Sequence, residues 1–284
     1  RYINEESESP RDRAHRKPVL GFAQVGNESM WRAANSESIR TSAEEAGVEL
    51  RFENAEGSQQ KQIDIIRSFI AQKVDVIAFS PLIETGWDEV LKEARDAGIP
   101  VICSDRWVKV KDDSLYTTFI GSDFDEEGRR AARWLMDKMK DRAVVNIVEL
   151  QGTIGSAPAI DRKAGFEEII KNSSRFRIIA SESGDFTQEG GKAVMKKFLE
   201  QNGKNIDAVY AHNDDMAFGA IEAIEEYGLK PGKDIIIVSI DGVKRAFQEM
   251  AAGRLNCTVE CNPLLGPQLM KAVKDYMEGK GLPV

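Results

Sequence analysis

From Pro18 onward, short β-branched runs alternate with longer amphipathic stretches, and this alternation admits few folds other than parallel α/β sheets. The strand candidates of the first half are Val19 to Val25, Val48 to Glu53, Val74 to Ser80 and Pro100 to Ser104. Between them the 3.6-residue period predicts helices over Trp31 to Ala46, Gln59 to Gln72 and Gly86 to Ala97. Gly47 and Gly98 fall where helix C-caps belong. After an extended segment, Tyr116 to Gly121, the pattern starts again with a helix over Asp125 to Met139 and a strand over Val144 to Leu150. Strands at Arg177 to Ser181, Ala208 to Ala211 and Ile235 to Ile240 follow, with helices at Ala157 to Lys171, Thr187 to Gln201, Asp214 to Tyr227 and Arg245 to Ala251. An extended run, Asn256 to Glu260, and a last helix from Pro263 to Glu278 complete the chain.

At 284 residues this exceeds one ordinary α/β sheet and suits two Rossmann-like lobes, each with its own parallel sheet. The expected organisation is a flexible tether over residues 1–17, an N-terminal lobe of residues 18–122 plus 262–284, and a C-terminal lobe of residues 123–261. The chain then passes between lobes near Ser122 and near Cys261, and two such crossings make a hinge. The tether is expected because residues 1–17 are nearly all polar and lack an apolar period. The start at Arg1, with neither initiator Met nor apolar leader, reads as a processed or excised mature segment, with which export, as a periplasmic protein or a lipoprotein, is compatible.

Charge and cysteine usage narrow the function. A net charge of −8 repels phosphate backbones, which disfavours nucleic acid as a partner. No apolar run approaches the ~20 residues of a membrane span. Of the 3 cysteines, Cys257 and Cys261 are four apart in an extended run. Such a run spans about 13 Å, beyond disulfide reach, so free, partly buried thiols are expected. No zinc or other metal site is expected either, because Cys257 and Cys261 lack a matching His and His212 has only Asp214 and Asp215 beside it. His212 is therefore read as a structural histidine, and no cofactor is implied.

In open parallel sheets ligands bind beyond the carboxyl ends of the strands, so the residues there carry the functional reading. After the first strand come Trp31 and Arg32, an aromatic face suited to the C–H face of a sugar ring and a guanidinium suited to its oxygens. Asp105 and Arg106 follow the fourth strand and together can both accept from and donate to hydroxyls. The second half repeats the arrangement with Asp161 and Arg162, Asp185 and Phe186, Asn213 to Asp215, Asp241, and Glu260. Single members of this set also fit helix caps, and Asp185, Thr187 and Asp214 are read as such. Capping alone does not call for Arg, Asn and Phe together. A glycosidase with paired carboxylates such as Asp214 and Asp215, or Asp105 and Glu260, is disfavoured because neighbours at a helix start point apart. Neither a nucleophile elbow nor a phosphate loop accompanies them. The chain is accordingly read as a binder and not an enzyme.

Collinear words carry a resemblance: Gln24-Val25-Gly26 through Trp31-Arg32-Ala33, Glu149-Leu150-Gln151-Gly152, Ile160-Asp161-Arg162-Lys163, Ser183-Gly184-Asp185-Phe186-Thr187, Tyr210-Ala211-His212-Asn213-Asp214-Asp215-Met216 and Ser239-Ile240-Asp241-Gly242. From Val19 to about Gly279 the chain resembles the type I periplasmic sugar-binding proteins, and within them the galactofuranose-binding members that serve bacterial ABC transporters. The resemblance implies a periplasmic binding protein-like fold of type I. It also implies one monosaccharide (galactofuranose, arabinose or galactose) held between the lobes by Trp31, Arg32, Asp105, Arg106, Asp161, Arg162, Phe186, Asn213, Asp241 and Glu260. The lobes would close on the sugar, and the closed form would engage a permease, working as a monomer. A third strand-like crossing, which relatives have beyond Pro283, does not follow here. Two related roles share the fold: a sugar-sensing lipoprotein that signals to a membrane histidine kinase, and the effector core of a repressor. The repressor needs a helix-turn-helix ahead of the core, for which the residues before Val19 are too few.

Overall fold

A computed structural model describes residues 8–282. They divide into two compact units. Unit 1 comprises residues 8–26, Ala34–Gly121 and residues 264–282; unit 2 comprises Asn27–Ala33 and Ser122–Pro263. Asn27–Ala33 thus groups with unit 2, although the alternation of strands and helices gave it to the first lobe.

Unit 1 holds strands β1 (Val19–Gln24), β2 (Glu49–Asn54), β3 (Val76–Phe79), β4 (Val101–Ser104) and β5 (Thr118–Ile120). Its helices are α1 (Pro10–Ala14), most of α2 (Met30–Ala46), α3 (Gln59–Ala71), α4 (Asp88–Asp96) and α10 (Gly266–Met277). The strands are all parallel in the order β2-β1-β3-β4-β5. Both faces of the sheet are covered, so β3 and β4 are buried along their whole length, which is why they appear in sequence as unbroken apolar runs. One face packs on Ile66, Phe69, Trp87 and Leu91, the other on Ile39, Leu269 and Val273.

Unit 2 repeats this plan with β6 (Val145–Gln151), β7 (Phe176–Ser183), β8 (Ala208–Ala211), β9 (Ile236–Asp241) and β10 (Cys257–Glu260). Helices α5 (Phe124–Lys138), α6 (Ala157–Ile170), α7 (Gln188–Asn202), α8 (Asp214–Tyr227) and α9 (Lys244–Ala251) connect them. The order is β7-β6-β8-β9-β10, the topological equivalent of unit 1. In each unit the direction of winding reverses beside the first strand, between β1 and β3 and between β6 and β8, and a crevice opens there at the carboxyl ends.

Two expectations change. The segment ahead of β1 lacks an apolar period, yet residues 8–17 are docked on unit 1 by polar and aromatic contacts. Ser9 caps α1, the Arg13 guanidinium stacks 4.7 Å from the Tyr276 ring centroid and donates to its hydroxyl at 2.8 Å, and Arg16 pairs with Glu8 and Asp75. Residues 1–7 lie outside the described residues. The caps also differ. Thr187 caps α7, but α8 is capped by Asn213, whose Oδ1 accepts from Met216 N at 3.0 Å, so Asp214 is the first helical residue and its side chain turns to other partners. Asp185 caps nothing and stands with a φ of 54°. Cys103, Cys257 and Cys261 are free thiols, and burial pushes that of Cys103 up to about 12.

Candidate sugar-binding residues at the strand ends

In unit 1, β4 ends in Asp105 and Arg106, both buried. Asp105 adopts a φ of 66°, a left-handed conformation rare for a side chain other than glycine, and its amide donates to Ile120 O at 2.6 Å. Arg106 Nε lies 3.9 Å from the Asp105 carboxylate, and Nη1 donates to Leu82 O at 3.2 Å. Around this pair the loops are tied by neutral side chains. Gln62, buried on α3, donates to Ala23 O at 3.1 Å and Ser80 O at 2.7 Å and accepts from Leu82 N at 3.1 Å. Gln24, at the end of β1, donates to Asn35 Oδ1 and Ser36 Oγ at 3.1 and 3.0 Å. Trp107, next in sequence to Arg106, is 43% exposed.

In unit 2 the corresponding ends carry charge. Arg162, on α6, is buried; its Nε and Nη2 donate to Glu127 Oε1 at 3.2 and 3.1 Å and its Nη1 to His212 O at 2.8 Å. Its Nη2 is also 3.7 Å from Asp241 Oδ1, and its guanidinium lies 6.0 Å from the Phe186 ring centroid. A guanidinium has five N–H groups, so this arrangement leaves capacity for a ligand. Glu127 reaches Arg162 because α5 and α6 touch backbone to backbone at Gly128 and Gly165, where any β-carbon would overlap the facing carbonyl. Burial pushes the Asp241 carboxyl well up, and only the opposing charge of Arg162 draws it back.

Phe186 is held against Gly152, on which a methyl would fall inside the ring, and its carbonyl accepts from Asn213 Nδ2 at 2.9 Å. Asn213 therefore caps α8 and fastens the Phe186 backbone, which has a φ of 63°, while retaining one amide hydrogen for other use. His212 spans the crevice between β6 and β8: Nδ1 accepts from Gly152 N at 3.1 Å, so Nε2 carries the proton and donates to Glu149 Oε2 at 2.9 Å. Glu149 also accepts from Lys163 Nζ at 2.8 Å and Ser181 Oγ at 2.6 Å. Burial would raise its pKa, but these donors bring it down to about 2, whereas burial lowers that of His212 and keeps the ring neutral. Both ring nitrogens are thus engaged, which matches the structural role read from sequence.

The segment Asn27–Ala33 adds Trp31 and Arg32. Trp31 is buried in the unit 2 core and donates its indole N–H to Cys261 O at 2.7 Å. Arg32 lies 4.9 Å from the Trp31 ring centroid and pairs with Glu28 at 3.1 Å. Asp215 accepts from Met30 N at 3.2 Å, and burial pushes its carboxyl up to about 6. Asp161 is half-buried on α6, and Glu260 is exposed at the end of β10, in register with Asp241.

Of the ten expected site residues, the structure joins Asp105 to Arg106 in unit 1, and in unit 2 it joins Trp31 to Arg32 and collects Arg162, Phe186, Asn213 and Asp241 into one cluster. Glu127 and Gln62 escaped the sequence reading, Gln24 was not given a role there, and Asp214 was read only as a cap. Asp214 accepts four hydrogen bonds, which removes it as half of a catalytic carboxylate pair. No group of three or more His, Cys, Asp or Glu among the described residues has the arrangement of a metal site. None of the described helices is long and apolar enough to cross a membrane.

Residues 20–281 match the family of periplasmic binding protein domains. The chain belongs to this family. It is 48% identical to the galactofuranose-binding protein YtfQ of Escherichia coli over 267 residues, 93% of this chain and 84% of that protein. Among solved structures, a Mycobacterium smegmatis protein in complex with β-D-fucofuranose is 56% identical with a TM-score of 0.92, covering 94% of this chain and 88% of that one. The periplasmic component of the arabinose ABC transporter of Shewanella sp. ANA-3, bound to α- and β-L-arabinofuranose, is 50% identical with a TM-score of 0.91 over the same shares. The α/β architecture of two five-stranded parallel sheets is that of this binding-protein family.

Proposed function

We propose that this chain binds one monosaccharide in its furanose form outside the cytoplasm and presents it to the permease of an ABC transporter, without catalysing a reaction on it. The observation that carries this reading is the unit 2 cluster. Arg162, Asp241 and Asn213 offer donors and acceptors beside the face of Phe186, which is the complement of a polyol ring with one apolar face. The cluster stands at the carboxyl ends of the strands, in a chain whose solved relatives hold fucofuranose and arabinofuranose. Trp31, Arg32, Asp105, Arg106, Asp161 and Glu260 complete the proposed contacts. Arg32, Asp105, Arg106, Arg162 and Asp241 each lie within ion-pair distance of a protein group, so the sugar is bound largely by preorganised groups.

Calorimetric titration with methyl furanosides and methyl pyranosides of L-arabinose, D-galactose and D-fucose tests this. Expected is 1:1 binding of a furanoside, weakened about 100-fold by Asp241→Ala or Arg106→Ala, since a charge-assisted hydrogen bond contributes about 1.5–3 kcal/mol. Preference for pyranosides overturns the ring form. Absence of heat with every sugar overturns the function.

A further inference from the structure

Asp214 is not among the proposed sugar contacts, yet its carboxylate is the most heavily hydrogen-bonded group at the end of the unit 2 sheet. Oδ1 accepts from Ser239 Oγ at 2.6 Å and Thr258 Oγ1 at 2.7 Å; Oδ2 accepts from Gly242 N and Val243 N, both at 2.9 Å. These donors surround one residue. Ser239 lies two positions before Asp241 on β9, Gly242 and Val243 are the two positions after it, and Thr258 lies on β10 two positions before Glu260, which is in register with Asp241. Asp241 itself has a φ of 141°, which side chains other than glycine rarely adopt, and its carbonyl is fixed by Cys261 N at 2.9 Å. Left to itself, the chain would relax at this point. What prevents it is a carboxylate supplied by the first residue of α8, a different element.

We infer that Asp214 is the positioning residue for Asp241: it sets the backbone on both sides of Asp241 so that this carboxylate stands beside Arg162, and sugar affinity depends on it through Asp241 alone. The inference rests on the reading that Asp241 contacts the sugar. Its chemistry also makes a distinction within the residue. Asn at this position keeps one oxygen for the two backbone amides and turns its NH₂ to the two hydroxyls, which rotate to accept. Ala removes the acceptor of Ser239, Thr258 and Val243 N and leaves Gly242 N with Thr258 Oγ1 alone.

The test is a cycle of furanoside affinities by calorimetry for the wild type, Asp214→Ala, Asp241→Ala and the double variant, with Asp214→Asn beside them. Expected is a loss of about 30-fold for Asp214→Ala, recovered to within about 5-fold by Asp214→Asn, and a double variant no weaker than Asp241→Ala alone. A structural role without aim would give losses that multiply in the double variant, and that outcome overturns the inference while leaving the sugar site standing. An Asp241→Ala variant with wild-type affinity overturns the site reading instead, and the inference with it. Should Asp214→Ala not fold, Thr258→Val takes its place in the cycle, because it deletes one hydroxyl on Oδ1 and the second acceptor of Gly242 N at 3.0 Å.

Discussion

The two units solve one problem with different chemistry. Each must hold the loops beyond the strands of a sheet with the same winding order. Unit 1 does so largely with amides and hydroxyls: Gln62 gathers three backbone groups, and Gln24 ties β1 to α2. Unit 2 uses buried charge for the same purpose: Arg162 on Glu127, Glu149 between Lys163 and His212, and Asp214 on the loop after β9. Amide ties are indifferent to pH and, when cut, cost the neutral hydrogen bonds they made and leave no buried charge behind. Ionic ties make an all-or-none demand, because removing one partner strands the other in a medium that cannot solvate it. The lesson is that equivalent topology does not fix how a site is stiffened, and that the two halves will answer perturbation differently.

The largest difference should come from Arg162→Met. Glu127 and Asp241 are then buried without their cation, and guanidinium unfolding should register a loss of about 3–5 kcal/mol. A loss below about 1 kcal/mol would mean that these carboxyls simply take up protons, and the contrast between units would dissolve. Gln62→Leu should cost about 2 kcal/mol, the toll of leaving Ala23 O, Ser80 O and Leu82 N with fewer partners, and that cost should be the same at pH 5 and pH 8. A pH-dependent cost would break the comparison from the other side.

The smallest effect is the pH response of unit 2 itself. Because burial raises the Asp215 carboxyl to about 6, the folded state favours its protonated form. Its stabilising contribution is therefore full below the unfolded value near 4 and is lost as pH rises through 6, by about 1–2 kcal/mol. Asp215→Asn keeps an acceptor for Met30 N and should flatten this slope between pH 4 and 7 in thermal unfolding. Glu149 titrates in the opposite sense, its stabilisation being complete above about pH 5 and lost progressively as pH falls from there toward about 2, so it is silent over all but the acid end of that window.

How far these ties could be seen in advance follows from their reach. The strands were legible because burial on both faces leaves long apolar runs, and Arg106 and Asp241 were singled out because each stands at the end of such a run, whereas Arg162 lies within α6 and was singled out with its neighbour Asp161. Glu127 was not. It reads as one more acid in the first turns of an exposed helix, and its burial follows only once Gly128 and Gly165 let α5 and α6 close on each other. The cap of α8 was misplaced by one residue, since Asn213 and Asp214 are equally good caps by type and only the direction of the chain after β8 decides between them. Docking of residues 8–17 was hidden because it runs through Arg13 on Tyr276, a pairing far apart in sequence that leaves no apolar period.

Left-handed backbone recurs at the strand ends, at Asp105, Asp185, Phe186 and Asp241. For the divergence of such a protein this works as a ratchet. A β-branched side chain cannot enter these positions without moving the loop, and glycine enters only by giving up the contact, so single substitutions there tend to lose binding before they can redirect it. Among the proposed contacts, new sugar preferences are more accessible at the helix-borne Arg32 and Asp161, whose backbone is ordinary, and a survey of selected variants with altered preference should find its changes on the helices and not at the turns.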